Sequence, residues 1–360
     1  MYAKGVTCSD CHDAHSAQMM AEGNAVCTQC HNPAGNPRFP SLPLGEFDSP
    51  AHHHHPEGSP GGQCKSCHMP ERVYMGNDWR ADHSIRIPRP DLTEATGAPD
   101  ACTTCHTDQN PEWAAARIRD WFPDRAQPGV HFGQILARAE LNPRLASDDL
   151  VELAHDDQAP MLVRATAIWL IGQTADPATI DRVADLAASP DATLRTAAVE
   201  AMRSLPGHQR VQKMLPLLDD PARNVRIAAA RGFYNAPIAH MPDRIAASFR
   251  KALAEWQNAM AARLDFPETH LQLGGFAPTT RNLPAAERAF EKAVELDPKL
   301  VDAWIMRIRI AAISGQQDTM HALIDAALTA NPGDLSLQNL IAELTGAQVD
   351  LLPPVADPAE

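Results

Sequence analysis

Cys8-Ser-Asp-Cys11-His12, Cys27-Thr-Gln-Cys30-His31, Cys64-Lys-Ser-Cys67-His68 and Cys102-Thr-Thr-Cys105-His106 are four copies of one pattern, C-x-x-C-H, and they use all eight cysteines of the 360-residue chain. In that pattern the two thiols can form thioethers to the vinyl groups of one haem, and the adjoining His reaches the iron from one face. Four C-x-x-C pairs could instead build two tetrahedral zinc sites, but zinc has no need of a His after every pair. Eleven of the first 131 residues are His, so a His after all four pairs by chance is on the order of one in 10,000. The expectation is four covalent haem c groups, with His12, His31, His68 and His106 as proximal iron ligands.

Residues 1 to 128 are rich in Pro, Gly, Cys and His, with almost no helical periodicity. Such a segment cannot bury enough apolar side chain to fold by itself. The porphyrins must then supply the core of an irregular tetrahaem domain. The second axial position of each iron decides between electron transfer, when filled, and ligand chemistry, when open. Spare histidines are the candidates for it. His15 follows His12 by three residues, on the same side of a turn, so it points to a neighbouring haem. His52, His53, His54 and His55 lie between Ser49-Pro50 and Pro56-Glu57-Gly58, in a turn-like stretch that offers at least one distal ligand. His83 has Asp82 beside it to orient its ring, and His131 could fill the fourth position. Met19, Met20, Met69 and Met75 are read as packing residues.

From about residue 145 the sequence turns Ala-, Leu- and Arg-rich. Val163-Arg164-Ala165-Thr166-Ala167, Leu194-Arg195-Thr196-Ala197-Ala198 and Val225-Arg226-Ile227-Ala228-Ala229 recur every 31 residues, each shortly after a proline, Pro160, Pro190 or Pro221. That is the signature of a helical-hairpin solenoid. A second periodic pattern follows a helix-compatible stretch from Asp243 to Leu264. Its letters are Leu273-Gly274, Ala286, Phe290, Ala293 and Pro298, with Trp304, Ala327 and Pro332 from a copy offset by 34 residues. The fold class expected is mainly α: a haem-packed region over 1–128, a connecting helix over 129–144 and a solenoid over 145–242. A second set of hairpins with lead-in and capping helices covers 243–346, and a disordered tail covers 347–360.

Thirty-one basic and 45 acidic residues give a formal net charge of −14, which argues against nucleic acid or an anionic membrane surface as partner. No apolar run is long enough to span a bilayer. The chain opens without a basic segment followed by an apolar one. Covalent haem attachment in bacteria is completed outside the cytoplasm, so either a leader has been removed or the chain is part of a longer protein.

The first repeat resembles HEAT repeats, and the second resembles the tetratricopeptide (TPR) pattern. The likeness to HEAT repeats implies a ladder in which Arg164, Arg195 and Arg226 pair with acidic residues of adjacent repeats. The stretches Gly5 to His15, Gly23 to Pro33, Asp48 to Pro70 and Asp82 to Leu92 resemble bacterial multihaem c-type cytochromes with a doubled C-x-x-C-H motif, in the subgroup fused to HEAT and TPR repeats. That resemblance implies electron transfer in the periplasm or at the cell exterior through mostly bis-His haems. Redox-partner proteins, other multihaem cytochromes among them, would be the partners, and the repeat arm a scaffold or docking surface. Relatives of this kind carry further haem-binding sequence before the position of Met1, so the chain is expected to be the carboxy-terminal part of a longer protein. Two other readings compete: a haem enzyme reducing a small nitrogen or sulfur oxyanion at one open iron, and a subunit of a conductive filament that polymerises head to tail. No Ser-His-Asp arrangement, phosphate loop or paired-carboxylate site gives the chain catalytic residues of another kind.

Overall fold

The computed structural model describes residues 5–124, 130–233, 242–277 and 282–345. The expected tail at 347–360 lies outside the described residues. The chain divides into two compact units, Met1–Ala137 and Arg138–Glu360.

The first unit is built from short pieces: α1 (Ala25–Thr28), α2 (Pro50–His53), α3 (Cys64–His68), a hairpin of β1 (Glu71–Tyr74) and β2 (Asp78–Ala81), α4 (Thr93–Thr96) and α5 (Pro111–Trp121). The strands pair antiparallel, Val73 opposite Trp79 and Tyr74 opposite Asp78. Gly76, at φ +78°, provides the left-handed residue that the turn between them requires. Helix α5 is the longest element before Phe122 and was not expected from periodicity. Its start is chemically plain: Pro111 at its first turn, and the Asn110 side chain accepting the Trp113 N–H. The buried hydrophobic residues described in this unit are only Phe39, Ala114 and Ala115. So few apolar residues make no core of their own, in line with a region whose packing centre is not polypeptide. Helix α6 (Phe132–Leu141), in the stretch expected to connect, crosses the boundary between the units.

The second unit is an α-solenoid. Its first part comprises α7 (Ser147–His155), α8 (Met161–Gln173), α9 (Pro177–Asp181), α10 (Ala192–Met202), α11 (Gly207–Met214) and α12 (Arg223–Arg231). The 31-residue repeats are α8, α10 and α12, and each packs on the next. The prolines stand just outside these helices rather than at their first residue. Pro160 is itself the cap of α8, whereas Pro190 and Pro221 come one residue before the caps Asp191 and Ala222. Helices α8 and α10 approach closely because Gly172 has no side chain: a Cβ there would stand 3.0 Å from the Ala201 Cα.

The arginine ladder forms at two of its three expected rungs. Arg195 grips Asp220 through two bonds of 2.9 Å and donates to the Ser189 and Pro190 carbonyls. Arg226 does the same 31 residues on, with Glu255 as the carboxylate and the Asp220 and Pro221 carbonyls as acceptors. Arg164 instead donates to the Ala154 carbonyl. The two acidic partners do not share one offset from their arginines, 25 residues for Arg195 and 29 for Arg226, and the corresponding positions after Arg164 are Ser189 and Thr193, neither of which offers a carboxylate.

The remaining helices are α13 (Asp243–Ala261), α14 (Pro267–Phe276), α15 (Leu283–Leu296), α16 (Val301–Ile313), α17 (Gln317–Ala330) and α18 (Leu335–Thr345). Of the letters read as a second repeat, Ala286, Phe290, Ala293 and Ala327 are fully buried and Trp304 nearly so, whereas Pro298 and Pro332 are exposed. Gly274 lets Phe290 lie against α14, because a Cβ would meet that ring at 2.7 Å. The Pro298 carbonyl accepts from Trp304 Nε1 and Asn331 Nδ2. No helix among the described residues is long and apolar enough to cross a membrane.

Candidate haem-binding site

Each C-x-x-C-H stretch folds as a single helical turn. The His12, His31 and His106 N–H groups donate to the Cys8, Cys27 and Cys102 carbonyls at 2.9, 3.0 and 2.9 Å, and the third copy is α3 itself. A turn of this kind brings both thiols and the imidazole to one side. Two of the turns are fixed from outside. Asn24 Oδ1 accepts the Cys64 N–H at 2.8 Å, while its Nδ2 donates to Asp48 and to the Gly62 carbonyl. The buried Asp100 accepts the Cys102 and Thr103 N–H groups and the Thr103 hydroxyl.

The attachment turns neighbour one another in chain order. Cys11 lies within the electrostatic reach of Cys27 and Cys30, Cys67 within that of Cys105, and Cys102 within that of Cys67. The Cys27 and Cys64 thiols lie side by side and interact, which lowers the first and raises the second. All eight cysteines are free of disulfides. Among the described residues, no three of His, Cys, Asp and Glu form a group of the kind that holds a metal ion.

The imidazoles form long-range pairs. His12 faces His83 with ring centroids 6.2 Å apart, His68 faces His52 at 6.5 Å, and His106 faces His55 at 6.0 Å. Two imidazoles on opposite sides of one iron have centroids about 6 Å apart, since a metal–nitrogen bond is about 2 Å and the ring centre lies roughly 1.2 Å beyond it. Tautomers agree with this spacing. His12 Nδ1 meets the Ala17 carbonyl at 2.9 Å, His68 Nδ1 that of Arg86 at 2.8 Å, and His83 Nδ1 that of Ala81 at 2.9 Å. His55 Nδ1 meets the His53 carbonyl in the same way. A carbonyl only accepts, so Nδ1 holds the proton and Nε2 keeps the lone pair an iron needs.

The four-histidine run is divided by its backbone. Helix α2 ends at His54, which takes φ +55° and turns the chain. His52 thereby points to His68 and His55 to His106, while His54 stacks on Trp121 at 4.3 Å. Gly61 and Gly62 leave room for these rings: a Cβ on Gly61 would overlap the His55 imidazole, and one on Gly62 would come within 3.3 Å of His53. His53 accepts the His55 N–H on its Nδ1.

Two other candidates stand apart from these pairs. His15 is exposed on a turn where Asp13 accepts its N–H. His131 accepts the Gly133 N–H on Nδ1 and lies against the Phe132 ring, which leaves its proton on Nε2. Of the methionines expected to pack, Met19, Met20 and Met75 are exposed. Sequence reasoning missed the aromatic residues around the pairs: Trp113 lies 5.1 Å from the His106 ring, and Phe47 is 5.3 Å from His52 and 6.1 Å from His31.

A family model for the doubled CXXCH motif matches residues 2–36, and a family model for HEAT repeats matches residues 139–233. The chain joins a doubled CXXCH motif to HEAT repeats. The first match covers the Cys8 and Cys27 turns and marks covalent c-type haem binding there. The second covers α7 to α12, the part of the solenoid that carries the arginine ladder. No curated protein matches the chain. The thiols, the lone pairs held at Nε2 and the near absence of a polypeptide core in the first unit all fit attached haem.

Proposed function

We propose that the chain is a multihaem c-type cytochrome that carries electrons through four covalently held haems over residues 1–128. The thioether residues are Cys8, Cys11, Cys27, Cys30, Cys64, Cys67, Cys102 and Cys105, with His12, His31, His68 and His106 as proximal ligands. The single observation that carries the reading is the set of three opposed imidazole pairs, His12 with His83, His68 with His52, and His106 with His55. We assign His83, His52 and His55 as the distal ligands on that basis. His54 then packs on Trp121, His53 orients His55, and His131 serves as a structural residue. Each bound haem supplies a one-electron iron couple, and a filled second axial position favours electron transfer over ligand chemistry.

The chain's own residues determine the path. Attachment turns that neighbour in chain order make a route from the Cys8 turn to the Cys102 turn. The backbone carbonyls on Nδ1 of His12, His68, His83 and His55 hold those rings still, which limits reorganisation when the iron changes charge. The solenoid acts as a scaffold or docking arm, with its last helices as TPR-like hairpins. The site of function is the periplasm or the cell exterior, where covalent haem attachment is completed. An acidic chain favours a basic redox partner.

A potentiometric titration of the full chain, made in a host that matures c-type cytochromes, is the test. Four electrons taken up reversibly per chain support the reading. Reduction by fewer electrons, in protein with a full complement of haem, would overturn it.

A further inference from the structure

Asn24 serves two attachment turns at once. It stands directly before α1, and its carbonyl accepts the Cys27 and Thr28 N–H groups at 2.9 Å each. An Asn in that place ordinarily turns its side chain onto its own helix. Here the side chain makes no such bond. It reaches the next attachment turn instead, 40 residues on, where Oδ1 accepts the N–H of Cys64, the first residue of α3. The first turn of any helix leaves such donors without a partner of their own. Nδ2 donates to the carbonyl of the buried Gly62 at 2.9 Å and to Asp48 at 2.6 Å. Asp48 follows Phe47, whose ring lies 6.1 Å from His31 and 5.3 Å from His52. One half-buried amide thus ties together the second turn, the third turn and the loop that lies between their histidines. The two turns are close throughout: the Cys27 and Cys64 thiols lie side by side, and His31 is within the electrostatic reach of His68.

We propose that Asn24 is the positioning residue that couples the second and third haems, those of the Cys27–Cys30 and Cys64–Cys67 turns, a role that rests on the function proposed above. A haem joined to its turn by two thioethers and an iron–imidazole bond has little freedom of its own. The spacing of the turns therefore sets the spacing of the haems. Three directed bonds from one amide fix that spacing, and without them the Cys64 N–H is left unsatisfied and the third turn is free to shift against the second. Overlap between two porphyrins falls steeply with separation, so loss of the clamp weakens electron exchange between the pair while each haem stays attached.

The experiment uses the full chain, with four haems counted by intact mass and four reversible electrons counted by titration beforehand, so that failure of the function reading is seen before this one is tested. The readout is electron paramagnetic resonance of the fully ferric protein, in which two irons in close contact lose their separate signals. In the wild type the integrated signal should account for two of the four haems, and reduction of one member of the coupled pair should restore the signal of the other. Asn24→Ser and Asn24→Ala should both raise the integral towards all four, with every haem still attached. The Ser variant guards against misfolding, because its hydroxyl caps α1 and keeps the Cys27 turn but, one bond shorter, stops short of Cys64. Arg195→Ala, which loosens only the arginine ladder, should leave the integral at the wild-type value. Wild-type protein giving four independent ferric signals would overturn the proposal even if neither Asn24 variant matures. Wild-type coupling in Asn24→Ser would overturn it as well, as would an equal loss of coupling in Arg195→Ala, which would make the effect one of general instability.

Discussion

Arg195→Ala should destabilise the solenoid by about 3 kcal/mol. The Arg195 and Asp220 side chains keep only 12% and 7% of their exposure, and the guanidinium makes two bonds of 2.9 Å to the carboxylate and two to the Ser189 and Pro190 carbonyls. Without it, Asp220 keeps its charge among buried groups with the Ala222 N–H as its remaining hydrogen-bond donor and only the more distant Arg226 charge beside it. Removing one member of a buried pair costs about 3–5 kcal/mol, because the other is left uncompensated. The low end applies, since Pro190 is exposed and its carbonyl can turn to water. For a unit of this size, each kcal/mol shifts the melting temperature by about 2–4 °C, which gives a fall of about 6–12 °C. Urea unfolding followed by far-UV circular dichroism reads the change as a lower midpoint at constant slope. Arg195→Ala together with Asp220→Leu should recover much of the loss, because the buried charge goes with its partner. A loss below about 1 kcal/mol in the single variant would refute the reasoning and place the pair with solvent-screened surface bridges.

Acid should weaken the same ladder. Burial would raise the Asp220 carboxyl, but the Arg195 hydrogen bonds, the Ala222 N–H and the Arg195 and Arg226 charges together outweigh it and hold it below the usual range, and Glu255 is lowered chiefly by its hydrogen bonds to Arg226. A depressed folded value means stability that is complete above about pH 4 and lost as pH falls through the folded value. The Arg195→Ala penalty should therefore shrink below about pH 4 in urea titrations. Gly172→Val should cost about 1–3 kcal/mol, since its side chain meets the Ala201 backbone, and it should lower the unfolding midpoint without loss of haem. Gly61→Val should push His55 away from His106 and turn one low-spin haem high-spin, readable by electron paramagnetic resonance with all haems still attached.

Covalent chemistry is legible in the sequence because C-x-x-C-H is local: one turn holds both thiols and the proximal His. The repeats are legible for a related reason. A 31-residue spacing marks which helices repeat, but the acidic partners of Arg195 and Arg226 lie at different offsets, so the missing rung at Arg164 is not read from the spacing alone. The distal partners are another matter. His83 and His12 are 71 residues apart, and no spacing rule links them. In the run from His52 to His55, one left-handed residue at His54 decides which ring faces which turn, with His54 stacked on Trp121 and room for His55 left at Gly61. His131, a candidate for the fourth position, is instead occupied by its own loop through Gly133. Phe47 carries no motif and emerges only from its placement beside His31.

The central claim is that four haems are bound covalently in the first unit. The most direct test is the intact mass of the denatured full chain from a host that matures c-type cytochromes. The account predicts the polypeptide mass plus four haems, unchanged by acid–acetone extraction. A mass equal to the bare polypeptide, with zinc released on denaturation, would contradict it.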